Sequence, residues 1–309
     1  MQASKITQIS TDGFHGYYYS SFRSDKCIIV IIGDKGNDFM NTSCARWLTT
    51  TQNCNVLCLG VRQEVHQDSG IHSWPLEYIE CAVNWLKHQN IRKIGVLGMS
   101  MQGTLVLAAA SFIPDISLVI ALTPCDYIPW GFCHGKLGKS SNAEWPSGTS
   151  TFTWRGQELP WQPACLEKEA YWNMFLSDKS RYHEMHTISI FEYSERMHPI
   201  SPECFINVEN INGKIILIGA EDDVMWNSSK YIRRMKKRLN AGGFLFPCAS
   251  YIYPYGTHLL VPERMLKKAI PLFGSMIYKL YVSGRKHPDE CTQSRIDLDE
   301  KLTLEIQNW

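Results

Sequence analysis

A serine between a buried apolar run and a helical run constrains this chain more than any other feature. Residues 95–103 read Gly-Val-Leu-Gly-Met-Ser-Met-Gln-Gly, and the helical pattern that follows ends before Pro114. A proline disfavours helical geometry in the residue before it, which sets that boundary. We therefore predict that Ser100 lies on a sharp turn between a strand and a helix, with its hydroxyl exposed at the edge of the sheet.

The glycines around Ser100 fit this turn only in part. A tight turn needs a small residue two positions before the serine, and Gly98 stands there. The usual pattern, Gly-x-Ser-x-Gly, has its second glycine where this chain has Gln102, and Gly103 comes one residue later. A serine that starts a helix is also a common N-cap. A catalytic role for Ser100 therefore requires a base and an acid farther along the chain.

Predicted strands and helices alternate along most of the chain. Such alternation is typical of a parallel, doubly wound sheet, so we predict the α/β class. Besides the strand and helix around Ser100, the predicted strands are residues 5–10, 16–22, 27–32, 53–60, 116–122, 213–219 and 249–254, and the predicted helices are residues 75–87 and 228–240.

The alternation stops over residues 125–211, which carry five of the ten tryptophans. A structureless loop of that length is improbable in a compact domain. We predict a single domain over residues 1–309 with a cap insertion at about 125–211, including helices near 167–176 and 188–195. Trp130 and Trp154 are predicted to line an acyl or aryl pocket, although they could equally form the small core of the cap itself.

An acid and a histidine follow the last two predicted strands. Asp222 and Asp223 come after the strand at 213–219, and His258 comes after the strand at 249–254. Carboxyl ends of parallel strands meet at one edge of a sheet, so we expect these side chains near Ser100. Serine, aspartate, histidine is the chain order of the catalytic triad in the α/β-hydrolase fold.

A glycine-rich loop after the first buried strand completes the predicted site. In this fold such a loop supplies one backbone N–H to the oxyanion, and the residue after the nucleophile supplies the other. We assign these donors to Asp34 and Met101. The alternative for the loop is an ordinary turn between a strand and a helix.

Charge and composition argue against several classes of protein. The 31 Lys and Arg nearly balance the 30 Asp and Glu, which gives no electrostatic reason to expect nucleic acid or a membrane surface as a partner. No apolar run has the length of a membrane span or a signal peptide, so we expect a cytoplasmic protein. The eleven cysteines are expected to be buried reduced thiols. His183 and His186 fall one residue short of a zinc-protease motif, and we expect no metal and no cofactor.

Several stretches resemble one family within this fold. They are residues 75–78, Gly98 and Ser100, residues 150–156, residues 219–226 and residues 253–258. The chain resembles the C-terminal catalytic domain that acyl-CoA thioesterases share with bile acid-CoA:amino acid N-acyltransferase, a branch near dienelactone hydrolase. The resemblance implies a serine hydrolase acting on a small-molecule acyl ester or thioester. It also favours Asp223 over Asp222 as the triad acid, since members carry that acid three residues before an apolar residue, here Trp226.

Two departures from the family refine this expectation. Only 26 residues precede the first predicted core strand, so the additional N-terminal β domain of the mammalian enzymes is not expected. The amidating transferase resembles this chain but uses cysteine where Ser100 stands, and a serine ester is readily hydrolysed. We therefore expect hydrolysis, with transfer of the acyl group to an amine, or a non-catalytic binding role, as alternatives. The oligomeric state is not predicted.

Overall fold

The computed structural model describes residues 2–21, 24–61, 70–269 and 274–309. The strands are β1 Lys5–Ile6, β2 Gly16–Tyr19, β3 Lys26–Ile31, β4 Asn55–Leu59, β5 Trp74–Pro75, β6 Lys93–Met99, β7 Ile116–Leu122, β8 Trp130–Leu137, β9 Ser140–Ser150, β10 Phe152–Trp154, β11 Gln157–Glu158, β12 Lys214–Ala220 and β13 Cys248–Tyr253. The helices are α1 Ile9–Asp12, α2 Phe39–Thr51, α3 Glu77–His88, α4 Met101–Phe112, α5 Lys168–Tyr182, α6 Ile188–Met197, α7 Ser228–Ala241, α8 Glu263–Ala269, α9 Val282–Lys286 and α10 Pro288–Gln307.

Within the described residues, eight strands form the central sheet, in the order β1-β2-β4-β3-β6-β7-β12-β13. The six strands from β4 to β13 in this order pair parallel, while β2 pairs antiparallel with β4 and β1 with β2. Parallel neighbours need crossover connections, which helices provide on both faces of the sheet. The predicted α/β class with a mostly parallel, doubly wound sheet is confirmed.

The two faces of the sheet carry separate apolar cores. In β3, Ile29 and Ile31 face the core that also holds α3, α4 and α7, whereas Ile28 and Val30 face the core formed with α2, α8 and α10. Successive side chains of a strand point to opposite faces, so a strand covered on both sides needs an unbroken apolar run. This requirement explains why residues 27–32 lack the alternation of a half-exposed strand.

The parallel strands place three loops at one edge of the sheet. β6, β12 and β13 run in the same direction, with β7 between β6 and β12. The loops after these three strands carry Ser100, Asp223 and His258. The topology therefore brings residues far apart in sequence to the same edge.

The segment between β7 and β12 contains more strand than the sequence predicted. The predicted helices correspond to α5 and α6, but residues 130–150 form an antiparallel hairpin of β8 and β9 that the sequence analysis missed. Beside it, β10 pairs with β5 and β11 in a small three-stranded sheet. The assignment of this segment as a cap within a single domain stays a prediction.

The amino-terminal segment also differs in detail from the prediction. The strand expected over 5–10 is confined to Lys5–Ile6, and residues 9–12 form a helical turn that ends at Gly13 with φ 78°. The strand expected over 16–22 ends at Tyr19, and Phe22 lies outside the described residues. No helix of the described chain is long and apolar enough to cross a membrane.

Candidate active site

Ser100 occupies a one-residue corner between β6 and α4. Its backbone has φ 61° and ψ −129°, a conformation that costs a non-glycine residue about 1–3 kcal/mol. The corner is held from both sides, because the Ser100 N–H donates to the Leu122 carbonyl at 2.8 Å and its carbonyl accepts from the Thr104 N–H at 3.1 Å. The strained turn keeps the serine hydroxyl at the carboxyl edge of the sheet.

Two glycines allow this corner to form. A β-carbon on Gly98 would lie 2.1 Å from the carbonyl oxygen of Gln102, a contact that the backbone cannot accommodate. A β-carbon on Gly103 would lie 2.9 Å from the Leu122 carbonyl oxygen, where α4 approaches β7. The chain thus keeps a small residue where α4 touches the sheet, one position later than the usual pattern places it.

The imidazole of His258 lies between the serine and an aspartate. Its Nε2 is 2.7 Å from Ser100 Oγ, and its Nδ1 is 2.9 and 3.0 Å from the two carboxylate oxygens of Asp223. His258 and Asp223 are both buried, with 4% and 3% of their surfaces exposed. Asp223 Oδ1 also accepts the Met225 N–H at 3.0 Å, which fixes the carboxylate within its loop. The arrangement matches the geometry of a nucleophile, a base and an orienting acid.

Asp222, the neighbouring acid, has a different set of contacts. Its Oδ1 accepts the backbone N–H groups of Gly256 and Thr257 at 2.9 and 2.8 Å, directly before His258. Burial is the largest effect on this carboxyl and raises its pKa, although these two N–H groups act in the opposite direction. Asp222 therefore ties the loop after β12 to the loop after β13 and does not contact the imidazole.

Thr123 and Trp226 hold His258 in place through two contacts that were not predicted from the sequence. Thr123 Oγ1 donates to the His258 carbonyl at 3.1 Å, and the Trp226 indole N–H donates to the Thr123 carbonyl at 3.0 Å. The indole of Trp226 meets the imidazole edge to face, with 5.1 Å between ring centroids. Thr123 has φ 44°, a conformation that no sequence pattern indicates.

The two predicted oxyanion donors lie at the same cleft as Ser100. Met101 is the first residue of α4, and the first N–H groups of a helix have no partner within the helix. Asp34 is exposed on the loop after β3, and its carbonyl accepts the Val61 N–H at 3.0 Å. Both residues line the cleft at Ser100, and their role as oxyanion donors stays a prediction.

A cleft of about 270 Å³ opens at Ser100. Its aromatic walls are Phe132 from β8, Tyr171 from α5 and Trp226 from the loop between β12 and α7 (residues 221–227), called here the acid loop. Polar and flexible side chains also line the cleft, namely those of Gln102, Glu144, Thr187 and Met225. The cleft therefore combines a reactive edge with a largely aromatic wall, as small-molecule sites commonly do.

Neither tryptophan predicted to bind substrate lines this cleft. Trp130 is completely buried and packs on Phe191 with 4.7 Å between ring centroids, so it belongs to the core behind the site. Trp154 stacks on Phe112 at the far end of α4 and carries the guanidinium of Arg155 on its ring. Aromatic side chains of this segment do line the cleft, but they are Phe132 and Tyr171 and not the two tryptophans.

The sequence pair His183 and His186 does not form a metal site. α5 ends at Tyr182 and His183 adopts a left-handed conformation, so the two imidazoles do not share a helical face. His186 is buried and stacks on Tyr182 with 4.1 Å between ring centroids. In the described part of the chain, no group of three or more His, Cys, Asp or Glu side chains could hold a metal ion.

Comparison with known sequences points to one family. The family described as BAAT / acyl-CoA thioester hydrolase C terminal matches residues 74–265. Acyl-coenzyme A thioesterase 2 of rat mitochondria is 27% identical over 190 residues, which cover 60% of this chain and 35% of that enzyme. Human acyl-coenzyme A thioesterase 1 is 26% identical over 190 residues, which cover 60% of this chain and 38% of that enzyme. The chain thus spans little more than a third of the length of these relatives.

Comparison with solved structures shows the fold. A candidate dienelactone hydrolase from Klebsiella pneumoniae superposes with a TM-score of 0.51 at 9% identity, covering 99% of this chain and 98% of that one. An esterase from Pyrococcus furiosus superposes with a TM-score of 0.48 at 12% identity, covering 91% of this chain and 97% of that one. The first likeness extends over nearly the whole of both chains and shows an α/β-hydrolase fold.

Proposed function

The chain belongs to the BAAT / acyl-CoA thioester hydrolase C-terminal family, and we propose that it hydrolyses an ester or thioester through an acyl-serine intermediate. The observation that carries the proposal is the imidazole of His258 lying 2.7 Å from Ser100 Oγ and 2.9 Å from the Asp223 carboxylate. The relatives are acyl-CoA thioesterases, so an acyl-CoA is the substrate class that we propose first. No cofactor takes part in this chemistry.

Acylation begins at the serine hydroxyl, which is a weak nucleophile at neutral pH without a base. His258 Nε2 accepts the hydroxyl proton as Ser100 Oγ attacks the substrate carbonyl carbon. The Asp223 carboxylate accepts a hydrogen bond from the Nδ1–H group of His258, which keeps the proton on Nδ1 and stabilises the imidazolium that forms. The tetrahedral oxyanion is held by the backbone N–H groups of Met101 and Asp34. When it collapses, the bond to the leaving group breaks and the leaving thiolate or alkoxide takes the proton from His258.

Deacylation repeats these steps with water as the nucleophile. Water loses a proton to His258 and attacks the carbonyl carbon of the acyl-serine, forming a second oxyanion in the same place. The ester bond to Ser100 then breaks, the serine oxygen recovers the proton from His258, and the free acid leaves. One substrate and one water thus give one acid and one thiol or alcohol.

The central experiment compares Ser100→Ala with Ser111→Ala, a substitution near the other end of the same helix. We expect Ser100→Ala to lower kcat for p-nitrophenyl and CoA esters on the order of 10³-fold or more, because the nucleophile is removed. Ser111 donates to the Ala108 carbonyl away from the cleft, so Ser111→Ala should retain wild-type kcat. Release of p-nitrophenol or CoA thiol measures the rates, and circular dichroism checks the fold.

Covalent labelling and product analysis separate the remaining alternatives. A fluorophosphonate should label the wild type at Ser100, as identified by mass spectrometry of the modified peptide, and should not label Ser100→Ala. Full activity in Ser100→Ala would refute the proposed mechanism, and an unlabelled, inactive wild type would indicate a non-catalytic member. An amide product formed when amines are added to an activated ester would instead identify an acyltransferase.

A further inference from the structure

A second cavity of about 270 Å³ adjoins the cleft at Ser100, and four residues line both: Glu144, Tyr171, Thr187 and Met225. Resting on the proposed hydrolase function, we infer that this second cavity, called here the side arm, binds an unbranched apolar acyl chain of medium length. The reacting carbonyl would then lie at Ser100 and the chain would run away from it along α5.

The lining of the side arm is mainly aromatic and thioether. Trp172 and Phe175 of α5 stack with 5.0 Å between ring centroids, and Met185 and Met225 lie in the walls. Methionine side chains are flexible and polarizable, so they adapt to chains that differ by a few carbons. Surfaces of this kind favour alkyl groups over charged groups, since burying a charge without partners is costly.

The side arm is held in place through the acid loop. The Thr187 and Ile188 N–H groups donate to the Val224 carbonyl at 3.0 and 2.9 Å, and Thr187 Oγ1 donates to the Met225 carbonyl at 2.6 Å. The Met225 N–H in turn donates to Asp223 Oδ1. The joint between the two cavities therefore has a fixed backbone that is continuous with the proposed triad, so a chain in the side arm would position its carbonyl relative to Ser100.

The chemistry of the two halves of an acyl-CoA decides which of them occupies the side arm. Coenzyme A carries phosphates, which need several cations or N–H donors, whereas the described residues of the side arm offer one cation, Lys179, at its exposed end. The Glu144 carboxylate at the joint would also repel phosphate. The apolar acyl chain is thus the half of the substrate that fits.

The volume of the side arm limits the length of the chain. Water occupies ~30 Å³ in the liquid, and a methylene group is of similar size, so the side arm of about 270 Å³ has room for about nine carbon atoms. Longer chains would extend into solvent past Met185, which is 36% exposed. We expect the gain from added carbons to end near this length.

The test is a chain-length series with one leaving group. Acetyl, butyryl, hexanoyl and octanoyl esters of p-nitrophenol, and the matching CoA thioesters, are compared by kcat/KM. A fully buried methylene raises kcat/KM by about fourfold, and octanoyl has about six more methylenes than acetyl, so even partial burial should make octanoyl exceed acetyl by at least about tenfold. A ratio near one in an enzyme that still hydrolyses acetyl esters through Ser100 would overturn the side arm alone.

A substitution that fills the side arm tests its location. Met185→Trp should lower the octanoyl-to-acetyl ratio of kcat/KM by about tenfold, because the indole occupies space that the chain needs. Met197→Trp is the matched control, since Met197 is 55% exposed on α6 and lines neither cavity, and its ratio should equal that of the wild type. An unchanged ratio in Met185→Trp with unchanged thermal unfolding would overturn the inference.

A series of acetate esters with alcohols of increasing length tests the orientation of the substrate. We expect no comparable rise in kcat/KM with alcohol length. A rise that Met185→Trp abolishes would place the leaving group in the side arm and overturn the acyl assignment. Absence of turnover with every ester, together with an unlabelled Ser100, would instead refute the proposed function, and the inference with it.

Discussion

Two adjacent carboxylates, Asp222 and Asp223, have different partners although they differ by one position in sequence. Asp223 faces the imidazole of His258, whereas Asp222 binds the backbone N–H groups just before that histidine. Thr257, one of the two donors, has φ 59° and is completely buried, so its conformation depends on such bonds. We regard Asp222 as a positioning residue for the histidine.

Replacing Asp222 should therefore affect turnover more than substrate binding. We expect Asp222→Ala to lower kcat by about 10- to 100-fold with little change in KM, because the imidazole loses its fixed position. Asp222→Asn keeps an oxygen that can accept both N–H groups and should recover most of the activity. Steady-state kinetics of both variants, with fluorophosphonate labelling rates, provide the measurement. Equal losses in the two variants, or a loss confined to thermal stability, would contradict this role.

The sequence predicted which three side chains meet at the sheet edge better than it predicted the side chains around them. Ser100, Asp223 and His258 follow strands in the order typical of the fold, and parallel strands deliver their loops to one edge, so their convergence follows from topology. Trp130 and Trp154 do not line the cleft at Ser100, because tryptophan content does not show which side chains of an irregular segment face it. Positive φ at Thr123 is likewise invisible in a sequence that carries no glycine there.

At the scale of secondary structure elements, two sequence stretches that resemble the family meet in the fold. β5, at residues 74–75, pairs parallel with β10, and the Leu76 N–H donates to the Thr153 carbonyl at 3.0 Å. Arg155 also pairs with Glu80 of α3 at 2.6 Å. The β8–β9 hairpin beside them was not predicted, because its polar residues lack the apolar alternation of a strand that packs on a core.

Helix α10 is attached to the sheet by a partly buried ion pair at its carboxyl end. Lys214 of β12 lies 2.5 Å from the Glu305 carboxylate and also donates to the Glu305 carbonyl at 2.8 Å, while the Tyr251 hydroxyl donates to the other carboxylate oxygen at 2.5 Å. Burial raises the pKa of Glu305, but the Lys214 and Tyr251 hydrogen bonds outweigh it, so the pKa lies below the ordinary value of 4.5.

This lowered pKa predicts how acid changes the contribution of the helix to stability. Glu305 stabilises the folded protein above the pKa of the unfolded chain, and the contribution is lost as pH falls through the lower folded value. We expect Glu305→Gln to lower the free energy of unfolding by about 1–2 kcal/mol at neutral pH, with the difference disappearing in strong acid. Urea denaturation measures it, and Glu300→Gln, on the exposed side of α10, is the control. A deficit that persists after Glu305 is protonated would contradict the assignment.

At the scale of the whole molecule, a helix that looks strongly basic in sequence is largely neutralised. Four cations of α7 pair with acids from other segments: Lys230 with Glu195, Arg233 with Glu221, Arg234 with Asp126 and Arg238 with Glu209. These pairs agree with the expectation that nucleic acid is not a partner, which stays a prediction. The predicted cytoplasmic location and the single domain with a cap also stay predictions.

The cysteines provide a test of the interior as a whole. Seven of the eleven are buried and four are half-buried, and none is paired in a disulfide. Burial raises the pKa of Cys54 and of Cys291 to about 11, so little of the reactive thiolate is present near neutral pH.

We expect Ellman's reagent at about pH 8 to modify at most the four half-buried thiols of the native protein within minutes, because burial keeps the others protonated and inaccessible. Raising the pH toward 11 without unfolding should speed the reaction. Unfolding in guanidinium without reductant should release all eleven. If fewer than eleven thiols react in guanidinium and the rest react only after a reductant is added, the protein contains disulfides. If the rest react only after a chelator is added, the protein binds a metal.

The order of the strands has a consequence for how this protein fails on heating. β6 and β7, which hold Ser100, are interior strands, whereas β13, which leads to His258, is the last strand of the sheet and has one neighbour among the described strands. Strands at the edge of a sheet open locally at a lower free-energy cost than interior strands. Ser100 is thus anchored between interior strands, whereas His258, its proposed proton acceptor, follows an edge strand. We therefore expect warming to separate the two side chains while most of the sheet survives, so that the loss of activity would precede global melting.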